Sequence, residues 1–346
     1  DLTKDYCVTT MGPLMKSSWI LAGAVAAGIL LAALQPVAAQ QSTLRIAGNF
    51  AAEHTSSKAM ETFKTELAAR SNGNLSADLF SGMQLGGAKE NIDAVRAGTI
   101  FATWVGVAFV SRLVPEVEAV SLPFVFEGRA QAMRAIDGPV GDLIEEKLAA
   151  KGFTALGWME LGSRHVTNSK RPLKTLDDFK GLKIRMQPNE THLATFRALG
   201  ANPVAMDVKE LYSALQQGVV DGQENPYPVI HANRYFEVQK YLSDTGHFFD
   251  FIILIANKRI FEGFNTEQKK AVREAAQAAV AQQRRMAAEA EVATLAELRA
   301  KGMQFDSISL DTRASLRRAS AGIIDDVKKR VGAELVDKVM AEAVKR

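Results

Sequence analysis

The chain has 346 residues, 47% hydrophobic and 23% charged, with a formal net charge of +3. That balance belongs to a soluble globular protein of one large or two ordinary domains. Lys and Arg are scattered among Asp and Glu with no basic stripe, which argues against a nucleic-acid partner.

From the N-terminus, Met11 or Met15 is the expected start, Lys16 supplies a positive flank, and residues 19–34 form an uncharged run rich in Ala and Leu. Pro36 breaks the run and Val37-Ala38-Ala39 puts small residues before Gln40, the order of a signal peptide cut after Ala39. A permanent anchor is the alternative, although the run is short for a span of ~20 residues. The single cysteine, Cys7, lies upstream, so the mature chain is expected to have no disulfide, thiolate-metal or lipid-anchor chemistry and to be free in the periplasm.

Strands and helices then alternate, which indicates α/β architecture. Residues 44–47 alternate as a strand; Met60, Phe63 and Leu67 recur at helical spacing, and Gly73 closes that helix. Residues 75–80 form the next strand, Ile92 and Val95 mark a helix ended by Gly98, and residues 101–105 are a third strand. Residues 115–126 read as strand-like, helical patterns run to Lys151, and residues 153–158 return as a strand. Near Gly162 the chain is expected to cross into a second lobe, with strands at 165–168, 182–186 and 241–248 and helices at 190–199 and 208–217. The apolar residues 251–256 read as a buried strand back in the first lobe. Residues 266–301 hold no Gly or Pro, and Asn265 with Gln268 supplies an N-terminal cap. One such helix would run roughly 50 Å, long enough to span both lobes; two shorter helices with a kink are the alternative. Helical patterns at 317–331 and 334–344 close the chain.

The motifs of common enzymes are absent: no nucleophile elbow, zinc-protease pair, phosphate loop or dinucleotide fingerprint. The five histidines show no metal spacing, and neither metal nor cofactor is expected. The informative stretch is 162–226. It holds Gly162-Ser163-Arg164-His165, then Gly181-Leu182-Lys183-Ile184-Arg185, and ends in Asp221-Gly222-Gln223-Glu224-Asn225-Pro226. An Arg at a strand end suits a carboxylate, because its planar fork donates two parallel hydrogen bonds. By spacing alone, a surface salt bridge is the more ordinary role.

With Gln84-Leu85-Gly86-Gly87, Leu122-Pro123-Phe124 and the long late helix, these runs resemble the periplasmic solute-binding proteins of tripartite ATP-independent (TRAP) transporters, across essentially the whole mature chain. The resemblance implies a type II periplasmic-binding fold, in which two α/β lobes joined by a hinge close over the ligand and a long helix crosses both. The implied boundaries are 1–39 for upstream residues and signal peptide, 40–161 for the first lobe and 162–250 for the second. Residues 251–285 would return to the first lobe, and 286–346 would end the spanning helix and place the C-terminal helices on the second. The resemblance makes Arg185 the carboxylate clamp, Arg164 a second cation and Asn225 a carboxylate donor. It puts Gln187 and Val208 on the second-lobe side of the pocket, Asn49 and Trp104 on the first, and His247 near the hinge. Trp104 is equally readable as a core aromatic. Sialic-acid-binding relatives carry an acidic side chain where this chain has Gly106, which argues against that ligand. The implied partners are a small organic acid and the membrane subunits of the transporter; a monomer is the default. Trp104, Val208 and Phe248 hint at an apolar wall, favouring a hydroxy, keto or aromatic acid over a highly hydroxylated sugar acid. A ligand-binding sensor subunit, or a periplasmic enzyme acting on an organic acid, are the alternatives.

Overall fold

A computed structural model of the protein describes residues 42–345. The expectations for residues 1–39, signal peptide and cut after Ala39, lie outside the described residues.

One nine-stranded sheet runs through the molecule. Its strands are β1 (Ser42–Gly48), β2 (Leu75–Phe80), β3 (Ala102–Gly106), β4 (Phe153–Asn168), β5 (Lys183–Met186), β6 (Asn202–Ala205), β7 (Gly222–Asn225), β8 (Tyr241–Asn257) and β9 (Gln304–Ser307). Their order is β2-β1-β3-β8-β4-β7-β5-β6, with β9 beside β8. One half, β2-β1-β3, leans on the ends of β4 and β8 near Phe153 and Asn257; the other half uses their opposite ends, where His165–Asn168 meet β7 and Tyr241–Asp244 meet β9. The two lobes of the α/β expectation therefore share two continuous strands. The sequence reads each as two separate strands, but β4 is 16 residues long and β8 is 17. Register shifts between Ala155 and Gly157, Glu160 and Gly162, and Arg164 and Val166 put bulges at the crossover. Bulges bend a strand without ending it, and Gly162, at φ 112°, supplies a conformation that other residues rarely adopt.

The Thr266–Ala300 helix is unbroken over 35 residues and opens with a reciprocal Asn265–Gln268 capping box. Ala271, Val272, Ala275, Ala276 and Ala279 join the first-lobe core, whereas Leu298 joins a second-lobe cluster with Leu211 and Tyr235. Small residues let it lie close to β4: a methyl on Gly157 would stand 2.6 Å from the Val280 side chain. At the crossover, Gln283 accepts from the Glu160 N–H at 2.9 Å and donates to the Glu160 carbonyl at 2.7 Å, satisfying backbone that the bulge frees. Among the described residues no helix is long and apolar enough to cross a membrane.

Two expectations change. Residues 115–126 form a 3₁₀ helix over Pro115–Val120 followed by a loop, not a strand, because Pro115 starts the turn and cannot donate to a ladder. The C-terminal pattern divides into helices Leu310–Ala319, Gly322–Val331 and Ala333–Val344. The last packs on helices Arg129–Ile136 and Pro139–Ala150 of segment 40–161, where Val336 and Val339 join the core, while Gly322–Val331 lies between Pro115–Val120 of that segment and helix Glu190–Ala198 of segment 162–250, with Ile323 and Val327 in the first-lobe core.

Candidate functional site

β5 delivers the first functional side chain. Ile184 and Met186 enter the second-lobe core, so strand alternation turns Arg185 to the opposite face, toward the first lobe. Arg185 is 1% exposed. Nε donates to the Met206 carbonyl at 2.9 Å, but Nη2 meets no acceptor, and Arg185 makes no ion pair among the described residues. Burial lowers its pKa, opposed by Tyr235 and Glu224. A buried cation with a free donor edge is costly unless something anionic completes it.

Arg185 lines a cavity of about 20 Å³ between the lobes. Gln187, Val208 and Asn225 line it with Arg185 on the second-lobe side, and Asn49, Phe50, Gly106 and Phe109 on the first. Asn49 Nδ2 and Gln187 Oε1 are both buried and without partners among the described residues, one a donor and one an acceptor. The space holds about one water. This is a closed cleft, and a molecule of several carbons enters only if the lobes part.

Arg164 has a different environment. At the bend of β4 and fully buried, it donates to both Glu224 oxygens, with Nη2 to Oε1 at 2.8 Å, and to Asp250 Oδ2 at 2.9 Å. Nη2 also reaches Asn225 Oδ1 at 3.1 Å. His247 joins through Nε2 to Glu224 at 3.1 Å, with Nδ1 on the Thr245 hydroxyl at 2.7 Å. Burial lowers the His247 pKa to about 4, so it is neutral near pH 7 and donates from Nε2 to the carboxylate. Burial raises the Glu224 carboxyl, but Arg164 and His247 outweigh it and hold it well below the ordinary range. Asp250 is pushed up by burial, with Arg164 opposing. Arg164 thus pairs with two carboxyl groups and ties β4, β7 and β8 together behind the cleft, and does not line the cavity as a second free cation. His247 belongs to the same support.

Of the eight residues singled out in the sequence, Arg185, Asn225, Gln187, Val208 and Asn49 line the cavity, while Arg164, His247 and Trp104 do not. Trp104 is fully buried in the first-lobe core, its ring filling the space beside Gly48. Phe248 likewise stacks on His192 at 4.2 Å in the second-lobe core, so two of the three residues behind the apolar-wall hint drop out. The cavity's aromatics are Phe50 and Phe109, which sequence reasoning missed. Their signal was position, just past the ends of β1 and β3, where α/β sheets place ligands. Asn233 and Val229 line it with no comparable signal. A larger open groove, about 510 Å³, lies beside the Thr266–Ala300 helix, near Ser163 and His165 on the other face of β4 from Arg164. Its cations are already engaged: Arg313 donates to the Thr245 carbonyl and Arg317 to that of Phe124. The cavity at Arg185 is the better candidate.

Residues 46–330 match the family model of bacterial extracellular solute-binding protein, family 7. The 2,3-diketo-L-gulonate-binding periplasmic protein of Escherichia coli is 38% identical over 231 residues, 67% of this chain and 70% of that protein. The sugar acid binding protein of Advenella mimigardefordensis, solved with galactonate, superposes with a TM-score of 0.86 at 30% identity, covering 88% of this chain and 98% of that one. A TRAP periplasmic solute binding protein of Polaromonas, bound to D-erythronate, gives 0.84 at 34%, covering 87% and 99%.

Proposed function

The chain belongs to family 7 of the bacterial extracellular solute-binding proteins, and from that premise we propose that it captures a small hydroxylated organic acid and hands it to the membrane subunits of a TRAP transporter. The fold is the two-lobe type II periplasmic-binding fold, with β4 and β8 as hinge strands. The observation that carries the proposal is Arg185, a buried guanidinium whose Nη2 faces the interlobe cavity without a partner. A ligand carboxylate completes its fork, and Asn225, whose Nδ2 donates to Gln223 at 2.6 Å, stands beside it with its second amide hydrogen. The unpartnered Asn49 Nδ2 and Gln187 Oε1 supply one donor and one acceptor for hydroxyls, which favours a sugar-acid chemistry over a plain aromatic acid. The E. coli, Advenella and Polaromonas relatives named above all carry hydroxylated or keto sugar acids in their names, which supports the same class.

Capture works by differential exclusion of water. The open cleft presents Arg185 from one lobe; closure removes solvent and strengthens the ion pair. Two charge-assisted bonds at about 1.5–3 kcal/mol each make the clamp worth roughly 3–6 kcal/mol, about two to four decades of affinity. Binding proceeds without turnover: His54, His192 and His247 are buried, held neutral near pH 7, and support the fold. Export to the periplasm by a cleaved leader belongs to this proposal. The test is a thermal-shift screen of hexonates, hexuronates, erythronate and C4-dicarboxylates. A ligand present at a thousand times its Kd stabilises by about 4 kcal/mol. The expected result is a hydroxylated acid that stabilises wild type, with Arg185→Lys weaker because an ammonium lacks the fork and Arg185→Ala inert. Stabilisation by an acid that persists in Arg185→Ala removes the clamp.

A further inference from the structure

Asp207 serves two helices at once. Its Oδ1 accepts from the Lys209 N–H at 3.0 Å and caps its own helix, Val208–Gln216, in the second lobe. Its Oδ2 accepts from the Ala88 N–H at 3.0 Å, across 119 residues, at the start of the Ala88–Ala97 helix in the first lobe. That helix has no capping side chain of its own, because Gly87 stands at its N-cap. The second lobe supplies what the first lobe's sequence leaves out. A carboxylate also suits both ends electrostatically, since each helix N-terminus carries partial positive charge.

The chain beside Asp207 is the ligand site itself. The Met206 carbonyl holds Arg185 Nε at 2.9 Å, and Val208 lines the cavity. Space at the contact is tight as well. A methyl on Gly87 would lie 2.8 Å from Asp207 Oδ2, and 2.9 Å from the Glu90 carboxylate of the helix's own first turn. Glycine thus lets the carboxylate reach the helix end, and its backbone, at φ −72°, would tolerate any residue.

We propose that Asp207 is the interlobe latch: its bond to the Ala88–Ala97 helix forms only when the cleft closes, and it sets how long a captured acid stays. It is a positioning residue that acts through lobe closure, and it rests on the capture reading above. Parting the lobes breaks the Ala88 bond but leaves the Lys209 cap intact. The latch therefore weights the closed state and slows release while leaving encounter unchanged.

Two variants separate latch from fold. Asp207→Asn keeps an excellent N-cap residue, but an amide has one oxygen and serves one helix end, not both. Gly87→Ala leaves Asp207 in place and obstructs its approach. Closure is read by energy transfer between dyes on the two lobes, and rates by stopped flow, with D-galactonate and D-erythronate as probes. Both variants should raise the dissociation rate about tenfold to a hundredfold, the range of one charge-assisted hydrogen bond, with the association rate and ligand-free unfolding unchanged. Wild-type dissociation rates and closure in both variants overturn the latch while leaving capture intact. A wild type that closes with neither acid overturns the capture reading, and the latch with it.

Discussion

Replacing Arg164 or Arg185 by Met should give opposite results, although both are buried guanidinium groups at the same cleft. Arg164 holds Glu224 and Asp250, which are themselves 0% and 1% exposed, so its loss leaves two carboxylates buried without a cation. Breaking such a network costs about 3–5 kcal/mol. Asp250, already pushed up by burial, relieves part of this by taking up a proton. In the variant both carboxyls sit above their unfolded values, so the destabilisation grows as pH rises through them. Arg185 has no paired carboxylate to strand. Arg185→Met loses one hydrogen bond to the Met206 carbonyl and is relieved of a buried charge, so unfolding free energy should change by no more than about 1 kcal/mol. Urea unfolding with and without a hydroxylated acid reads both effects. Arg164→Met should lose stability in either condition, and Arg185→Met should lose only the ligand-dependent gain. Equal loss of ligand-free stability in the two variants would refute the division into support and clamp.

Gly106 lines the cavity at φ −58°, and a methyl there would meet Gln187 and Phe109 at an ordinary 3.6 Å, so Gly106→Ala should fold normally. It should weaken hexonates by roughly tenfold or more while sparing shorter acids; equal loss by titration across chain lengths would contradict that. Burial holds His54 and His192 at about 3 and His247 at about 4, below the ordinary 6.5. These groups take up protons only on unfolding as pH falls below 6.5, so stability should drop, each contributing up to about 1.4 kcal/mol per pH unit. Glu224, held low, adds to the loss at more acid pH, and Asp250, held high, offsets part of it. Urea midpoints should fall from pH 7.5 to 5.5, with a slope cut by about a third in His192→Phe; a flat midpoint would contradict the burial of neutral imidazoles.

The parts of this account that sequence made legible are those settled by local pattern. Residues 266–300 lack breakers and carry their own cap, and β5 alternates so that Arg185 must leave the core that takes Ile184 and Met186. The rest depended on distant partners. Arg164 reads as a second clamp until Glu224, 60 residues on, and Asp250, 86 residues on, are seen to occupy it. β4 and β8 read as four strands, with one break near Gly162 and the other between residues 248 and 251, yet bulges and side chains such as Gln283 carry the ladder through. Trp104 and Phe248 have the composition of a pocket wall and the packing of a core, a distinction that only the neighbouring elements decide.

The most direct measurement is a calorimetric titration of the protein, unfolded and refolded to release any retained molecule, with D-galactonate and with galactitol, which keeps the hydroxyls and lacks the carboxylate. The account predicts that the acid binds, that galactitol is weaker by at least two decades, and that Arg185→Ala abolishes the difference. Equal binding of acid and alditol, or a difference that survives in Arg185→Ala, would contradict it.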